Sequence, residues 1–161
     1  MAIKVGDRVP ESNFTIMADG GPKAVSSGDF FKGRTVVLFG VPAAFSPTCS
    51  EQHLPGFLAQ ADALRAKGAA VIACTAVNDV FVLSAWAKKQ GAEDDITMLA
   101  DGNADFTRAL GLDIDLSPFG LGVRSKRYAM IVEDGVVKHI GIEDSPPEHI
   151  KATAEKVLAS F

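Results

Sequence analysis

TVVLFGVPAAFSPTCSEQHLPGF, residues 35–57, joins a short apolar run to a cysteine at the head of a helical pattern. Residues 35–40 are β-branched and apolar and lie between Gly33 and the Gly40/Pro42 pair, the signature of a buried central strand. After the loop VPAAFSPT, apolar Leu54, Phe57, Leu58, Ala61 and Leu64 recur every three or four residues, which predicts a helix over 49–67, kinked at Pro55 and closed by Gly68. Thr48 reads as the N-cap and Glu51, three residues on, completes a capping box. That register makes Cys49 the first helical residue, facing free backbone N–H groups and the positive end of the helix dipole.

Working outward, AVIACTA at 70–76 reads as a second buried strand, and Asn78-Asp79 caps a helix through Trp86 to residue 90. Residues 97–100 suit a short strand and 104–110 a helix ending at Gly111, while 113–125 read as a loop rich in Asp, Gly and Ser. Residues 128–132 and 136–140 flank Glu133-Asp134-Gly135, a hairpin signal because Asp-Gly supplies the positive φ angles of a tight turn. SPPEH then opens a last helix to residue 161, with Ser145 as N-cap and Pro146 at its first position. Strands alternating with crossover helices, then an antiparallel hairpin and a final helix, predict an α/β fold of the thioredoxin-like kind, a mixed central sheet flanked by helices.

The 161 residues are 47% hydrophobic and 22% charged, with no repeat or linker composition, which predicts one domain over 1–161. Sixteen basic residues against twenty acidic ones leave a net charge of −4 and no basic face for a phosphate backbone, so nucleic acid is not an expected partner. No apolar stretch is long enough to span a bilayer and no signal-peptide core opens the chain, so we expect no membrane partner and a cytoplasmic location. Cys49 and Cys74 are too few for a disulfide scaffold, which points to a reducing compartment and turns attention to thiol reactivity.

The active-loop spacing Pro42, Ser46, Cys49 resembles the peroxiredoxin signature, and His53-Leu54-Pro55-Gly56-Phe57 resembles the type II, or peroxiredoxin-5-like, branch of that family. The likeness runs along the chain through GDRVPESNF, VNDVFVLSAW, LADG, ALGL and LGVRSKRYAMIVEDGVV in the same order. It implies a thioredoxin-like fold and reduction of hydrogen peroxide and alkyl hydroperoxides through a Cys49 sulfenic acid, with no metal or other cofactor. It also implies Arg127, in KRYAMIV, as the active-site arginine, in preference to Arg124 or Lys126, which residue type alone would not separate.

On this reading Cys49, Ser46, Arg127 and Pro42 form the catalytic set, and Ser46, Cys49 and Arg127 bind the substrate. A free thiol near pKa 8.5 is mostly protonated at neutral pH, whereas helix N-termini and cations bring cysteines to about 3.5–7.5. The Ser46 hydroxyl can serve the sulfur as donor or the substrate as acceptor, and Pro42 and Pro47 stiffen its loop. Cys74 reads as a small core residue; the family offers it the other role of resolving cysteine, and residues 142–161 contain no cysteine for that task. We therefore expect a one-cysteine cycle regenerated by glutathione with glutaredoxin, or by thioredoxin.

Glu51 is read as a cap and His53, one turn from Cys49, as a structural residue. Cys49, His53, His139 and His149 lack metal-ligand spacing. GLGVRSKR at 120–127 lacks the spacing of a phosphate loop and is read as a pocket rim. Phe45, Phe81, Trp86 and Phe119 are core aromatics by default, and the family implies a homodimer with some of them at its interface. The competing reading is a noncatalytic peroxide-sensing redox module; a disulfide oxidoreductase is disfavoured because no second cysteine lies two residues away.

Overall fold

Strict alternation along the predicted central strand sets the architecture. In the computed structural model, which spans Met1–Phe161, Val37 and Phe39 point to one side of a sheet and Val36 and Leu38 to the other, all four fully buried. A strand with two apolar faces needs cover on both, and the chain supplies it with helices.

The elements run β1 (Asn13–Ala18), β2 (Gly21–Ser26), α1 (Ser27–Phe31), β3 (Thr35–Gly40), a helical segment from Pro47 that includes α2 (Leu54–Ala59), α3 (Ala61–Ala66), β4 (Val71–Ala76) and α4 (Val80–Gln90). They continue with β5 (Thr97–Ala100), α5 (Asp105–Leu110), β6 (Asp113–Asp115), β7 (Val123–Ser125), β8 (Tyr128–Glu133), β9 (Val136–Ile142) and α6 (Ala154–Leu158). Seven strands form one sheet in the order β2-β1-β5-β4-β3-β8-β9, with β3, β4 and β5 parallel and the flanking pairs antiparallel. The fold is thioredoxin-like, a mixed sheet flanked by helices.

One face of the sheet packs Phe39, Cys74 and Ile131 against α2, α3, α4 and α6, with Cys49 in the same apolar cluster. The other packs Leu38, Met130 and Val132 against α1 and α5. Phe57 of α2 stacks on Phe39 with ring centroids 4.3 Å apart and an interplanar angle of 4°. Burying such a side chain contributes about 1.5–3 kcal/mol, whereas a short isolated helix is marginal in water. Tertiary packing therefore fixes the cysteine-bearing helix.

The hairpin forms as expected, with Asp134 (φ 48°) and Gly135 (φ 80°) both left-handed in the turn between β8 and β9. Asp79 caps α4 by accepting from the Val82 amide at 2.8 Å.

Three local expectations are corrected. Residues 113–125 are not plain loop: β6 and β7 pair antiparallel around a single 3₁₀ turn at Ser117–Phe119. The predicted last helix starts late, at Ala154 with Thr153 as its N-cap, and residues 145–152 are irregular. Ser145 spends its hydroxyl on the Glu148 carboxylate at 2.8 Å, and the Glu143 carboxylate draws the amides of Ile150, Lys151 and Ala152 out of any helical ladder. The Thr48–Glu51 capping box is also absent: helical geometry begins at Pro47, Thr48 is already helical (φ −64°, ψ −39°) and its side chain caps nothing.

Candidate active site

β3 ends at Gly40, where a Cβ would run into the Tyr128 ring, so only glycine lets the strand pass this close to β8. The Val41 amide bonds to the Thr75 carbonyl at 3.1 Å, and buried Pro42 starts the loop from that fixed point. The Ala44 amide donates to Asn78 Oδ1 at 3.0 Å, and Phe45 turns the chain with φ 67°, an uncommon angle for a bulky residue.

The helix then carries Cys49 in its first turn, with its side chain fully buried. Cys49–His53 is a π-helical turn in which the Leu54 amide donates to the Cys49 carbonyl. Pro55 explains it: proline brings no N–H and crowds the carbonyl four residues back, so the wider turn accommodates it in place of the predicted simple kink.

Arg127 immediately precedes β8 and is 2% exposed. Its Nη2 donates to Cys49 Sγ at 3.2 Å and to the Pro146 carbonyl at 3.1 Å, its Nε donates to the same carbonyl at 3.2 Å, and its Nη1 meets His53 Nδ1 at 3.0 Å. Guanidinium has no lone pair to offer, so His53 Nδ1 accepts and Nε2 carries the proton that goes to the Ala152 carbonyl at 2.9 Å. Burial, then the Arg127 and His149 charges, hold His53 well below the ordinary imidazole value of 6.5, in keeping with the neutral tautomer those contacts require.

No carboxylate pairs with Arg127. A buried cation among neutral carbonyls and a neutral imidazole is costly unless an anion stands beside it. The atom so placed is the sulfur of Cys49, to which the guanidinium directs a charge-assisted donor.

Ser46 departs from expectation. Its hydroxyl donates to the Ala43 carbonyl at 2.6 Å and makes no hydrogen bond to the sulfur. The turn that positions it uses up its proton, so what remains is an acceptor oxygen. Glu51 is exposed and neither caps nor pairs. Trp86 is core, donating from Nε1 to Ser50 Oγ at 3.0 Å beside the cysteine.

Cys74 is fully buried mid-strand in β4, opposite Phe39 of β3 and Met98 of β5. Burial, then the Cys49 charge, push its thiol well above the ordinary 9.0, with Arg127 opposing. Protonated and locked into two ladders, it is a poor nucleophile at neutral pH. His139 lies in β9 and His149 in the irregular 145–152 segment, and no three His, Cys, Asp or Glu side chains cluster as a metal set would. No helix is long and apolar enough to cross a membrane. A surface cleft of about 400 Å³ between β1 and α4, lined by Ile16, Val80, Ser84 and Lys88, does not include Cys49.

Glu143 and the Pro146 and Ala152 carbonyls were not found by sequence reasoning. Two of these act through backbone oxygens, which residue type does not reveal, and Glu143 gives no spacing signal.

All three histidines are displaced downward, His53, His139 and His149 chiefly by burial. Each binds its proton less tightly folded than unfolded, so below about pH 6.5 the unfolded chain takes up more protons and stability falls as pH falls. The urea midpoint should therefore drop between about pH 7.5 and about pH 5.5; an equal or higher midpoint at the acid end would contradict the burial of these rings.

The redoxin family model matches residues 4–158. Peroxiredoxin-2E-2, chloroplastic, of Oryza sativa subsp. japonica is 50% identical over 164 residues, covering 99% of this chain and 72% of that protein. Peroxiredoxin-2C of the same organism is 44% identical over 161 residues, covering 99% and 98%. The crystal structure of reduced Prx3 from Vibrio vulnificus in complex with hydrogen peroxide superposes with a TM-score of 0.93 at 46% identity, covering 98% of each chain.

Proposed function

This chain belongs to the peroxiredoxin family, in its type II branch, and is a thiol peroxidase; we propose that Cys49 is its peroxidatic sulfur, working on hydrogen peroxide and alkyl hydroperoxides in a one-cysteine cycle. One observation carries the reading: a buried, carboxylate-free Arg127 donates to the Cys49 sulfur at 3.2 Å.

The Cys49 thiolate attacks the terminal, hydrogen-bearing oxygen of ROOH. The S–O bond forms as the O–O bond breaks, and its electron pair leaves on RO⁻, which takes a proton to become ROH. Sulfur is oxidised by two electrons to the sulfenic acid and the peroxide is reduced. Charge moves from sulfur to the departing oxygen, so the transition state needs donors fixed near both. Arg127 is held by His53 and Pro146 before substrate arrives, and the Cys49 amide lies among first-turn donors that no helical carbonyl takes. The Ser46 oxygen, its own proton engaged by Ala43, is suited to accept the peroxide O–H.

The reductant belongs to the same proposal. Glutathione condenses with the sulfenic acid to a mixed disulfide and water, and a second thiol, delivered by glutaredoxin, releases the Cys49 thiolate and glutathione disulfide. Thioredoxin is the alternative donor, and a reducing, cytoplasmic setting would supply either. The buried, protonated state of Cys74 supports leaving it out of the cycle. Cys74→Ala should retain steady-state peroxide consumption with glutathione and glutaredoxin; loss of turnover in a folded variant would return Cys74 to the cycle.

We also propose a homodimer. Phe45, Phe81, Phe119 and Leu121 are exposed, and two contacts bring their segments together: Ala44 to Asn78, and Arg124 Nη1 to the Val77 carbonyl at 3.0 Å. Exposed aromatics grouped beside the active loop suit a self-complementary interface. Sedimentation should show a dimer that Phe119→Glu weakens; a wild-type chain that stays monomeric at micromolar concentration argues against it.

A further inference from the structure

We propose that Glu143, which touches neither the sulfur nor the substrate, is a positioning residue that holds Arg127 at Cys49 through the 145–152 segment. The inference rests on the assignment of Cys49 and Arg127 above and adds the element that keeps them together.

Glu143 follows β9 directly and is 3% exposed. Its amide donates to the Arg127 carbonyl at 2.9 Å, so it faces Arg127 across the end of the β8–β9 ladder. One carboxylate oxygen, Oε2, accepts from the amides of Ile150, Lys151 and Ala152 at 2.7, 2.7 and 2.8 Å. Three short bonds from consecutive residues to one anionic oxygen form a tight backbone nest. The other oxygen, Oε1, is buried and has no partner. The nearby Lys151 ammonium does not neutralise the carboxylate, because it bonds to Asp144 at 3.0 Å.

The nest fixes the segment at both ends that matter. At Ala152 it directs the carbonyl to His53 Nε2, which sets the ring so that Nδ1 accepts from Arg127. The same segment, leaving β9 and returning to the nest, carries the Pro146 carbonyl that takes two donors of the guanidinium. All the hydrogen bonds that orient Arg127, apart from the one to sulfur, thus come from this segment or from a histidine it aligns. A carbonyl pair alone has no means of selecting that conformation, since 145–152 has no helical or sheet ladder of its own. A buried carboxylate with one oxygen unpartnered is costly, so Glu143 is better suited to fixing the path of this segment than to adding general stability.

The test is a double-mutant cycle read on Cys49. Glu143→Ala should slow stopped-flow reaction with hydrogen peroxide by about 10–100-fold, as misplacing a reacting group by an ångström does. It should also lower the ultraviolet thiolate absorbance at neutral pH, measured in a Cys74→Ala background to leave one thiol. Glu143→Gln keeps a carbonyl acceptor at the nest without the charge and should recover part of the rate, settling about 3–10-fold below wild type because neutral hydrogen bonds are roughly half as strong. In an Arg127→Lys background Glu143→Ala should cost little more, since the guanidinium it positions is already gone. Iodoacetamide alkylation of Cys49 should show the same coupling without any peroxide, so a chain that failed as a peroxidase would still report on Glu143. A folded Glu143→Ala or Glu143→Gln variant reacting at the wild-type rate overturns the proposal, as does a loss that adds in full to that of Arg127→Lys. If Glu143→Ala does not fold, the Gln variant and its cycle with Arg127→Lys decide the matter alone.

Discussion

Replacing Cys49 with serine is expected to abolish peroxide turnover, a loss of about 10⁴-fold or more, because removing a catalytic nucleophile leaves only the binding and electrostatic parts of the site. Serine is close to cysteine in size, and the position is fully buried, so the helix and its Phe39–Phe57 stack have no reason to move. Arg127 would keep its bonds to Pro146 and His53. What changes is the anion: an alkoxide is far harder to form than a thiolate, and a neutral hydroxyl does not displace at an O–O bond. Stopped-flow peroxide consumption with glutathione and glutaredoxin, together with mass spectrometry of the trapped sulfenic acid on wild type, measures both halves of this expectation. A Cys49→Ser chain that still turned over near the wild-type rate would place the chemistry elsewhere in the molecule.

The parts of this architecture that could be read from residues are those where local pattern and tertiary environment agree. TVVLFG and AVIACTA are apolar on both faces and end up as adjacent strands in the middle of the sheet, and Asp134-Gly135 closes a hairpin because both residues accept left-handed angles. The β1–β2 hairpin went unread although Asp19-Gly20 joins its strands, because the strand that follows lacks an apolar pattern. Its outer strand, GPKAVS, starts with Gly-Pro and is largely exposed, and an edge strand needs little apolar patterning. Ser145-Pro146 and Thr48/Glu51 carry the composition of helix starts, yet Ser145 bonds the Glu148 side chain three residues on, and at the second place helical geometry starts earlier, at Pro47. At the site, the place of Cys49 in a first helical turn was legible from the strand and loop before it, while its role came from family likeness. Arg127 was reached through family likeness alone, since nothing in KRYAMIV distinguishes it from Lys126. The carbonyls of Pro146 and Ala152 and the carboxylate of Glu143 were invisible because the path of residues 143–152 depends on where β9 ends in space.

Arg127→Lys should cost about 10²–10³-fold in the rate constant for peroxide, the range measured when a preorganised donor to developing charge is removed. Both residues are cations, so a loss of that size separates geometry from charge. The guanidinium presents its donors in a fixed plane, and here that plane is divided among three directions: Nη1 to His53, Nε and Nη2 to Pro146, Nη2 to the sulfur. An ammonium on a flexible stem cannot hold all three, and once it turns toward the Pro146 carbonyl the sulfur loses its short donor. His53 then loses the partner that fixes its Nδ1, and one of the charges keeping its ring neutral becomes mobile, although burial, the larger cause, remains. The expected signature is a fall in the second-order rate constant and in the rate of Cys49 alkylation together, with circular dichroism unchanged. An Arg127→Lys chain reacting within about threefold of wild type, less than about one kcal/mol of lost transition-state stabilisation, would mean that positive charge alone suffices and that the fork held by His53 and Pro146 has no part in the chemistry.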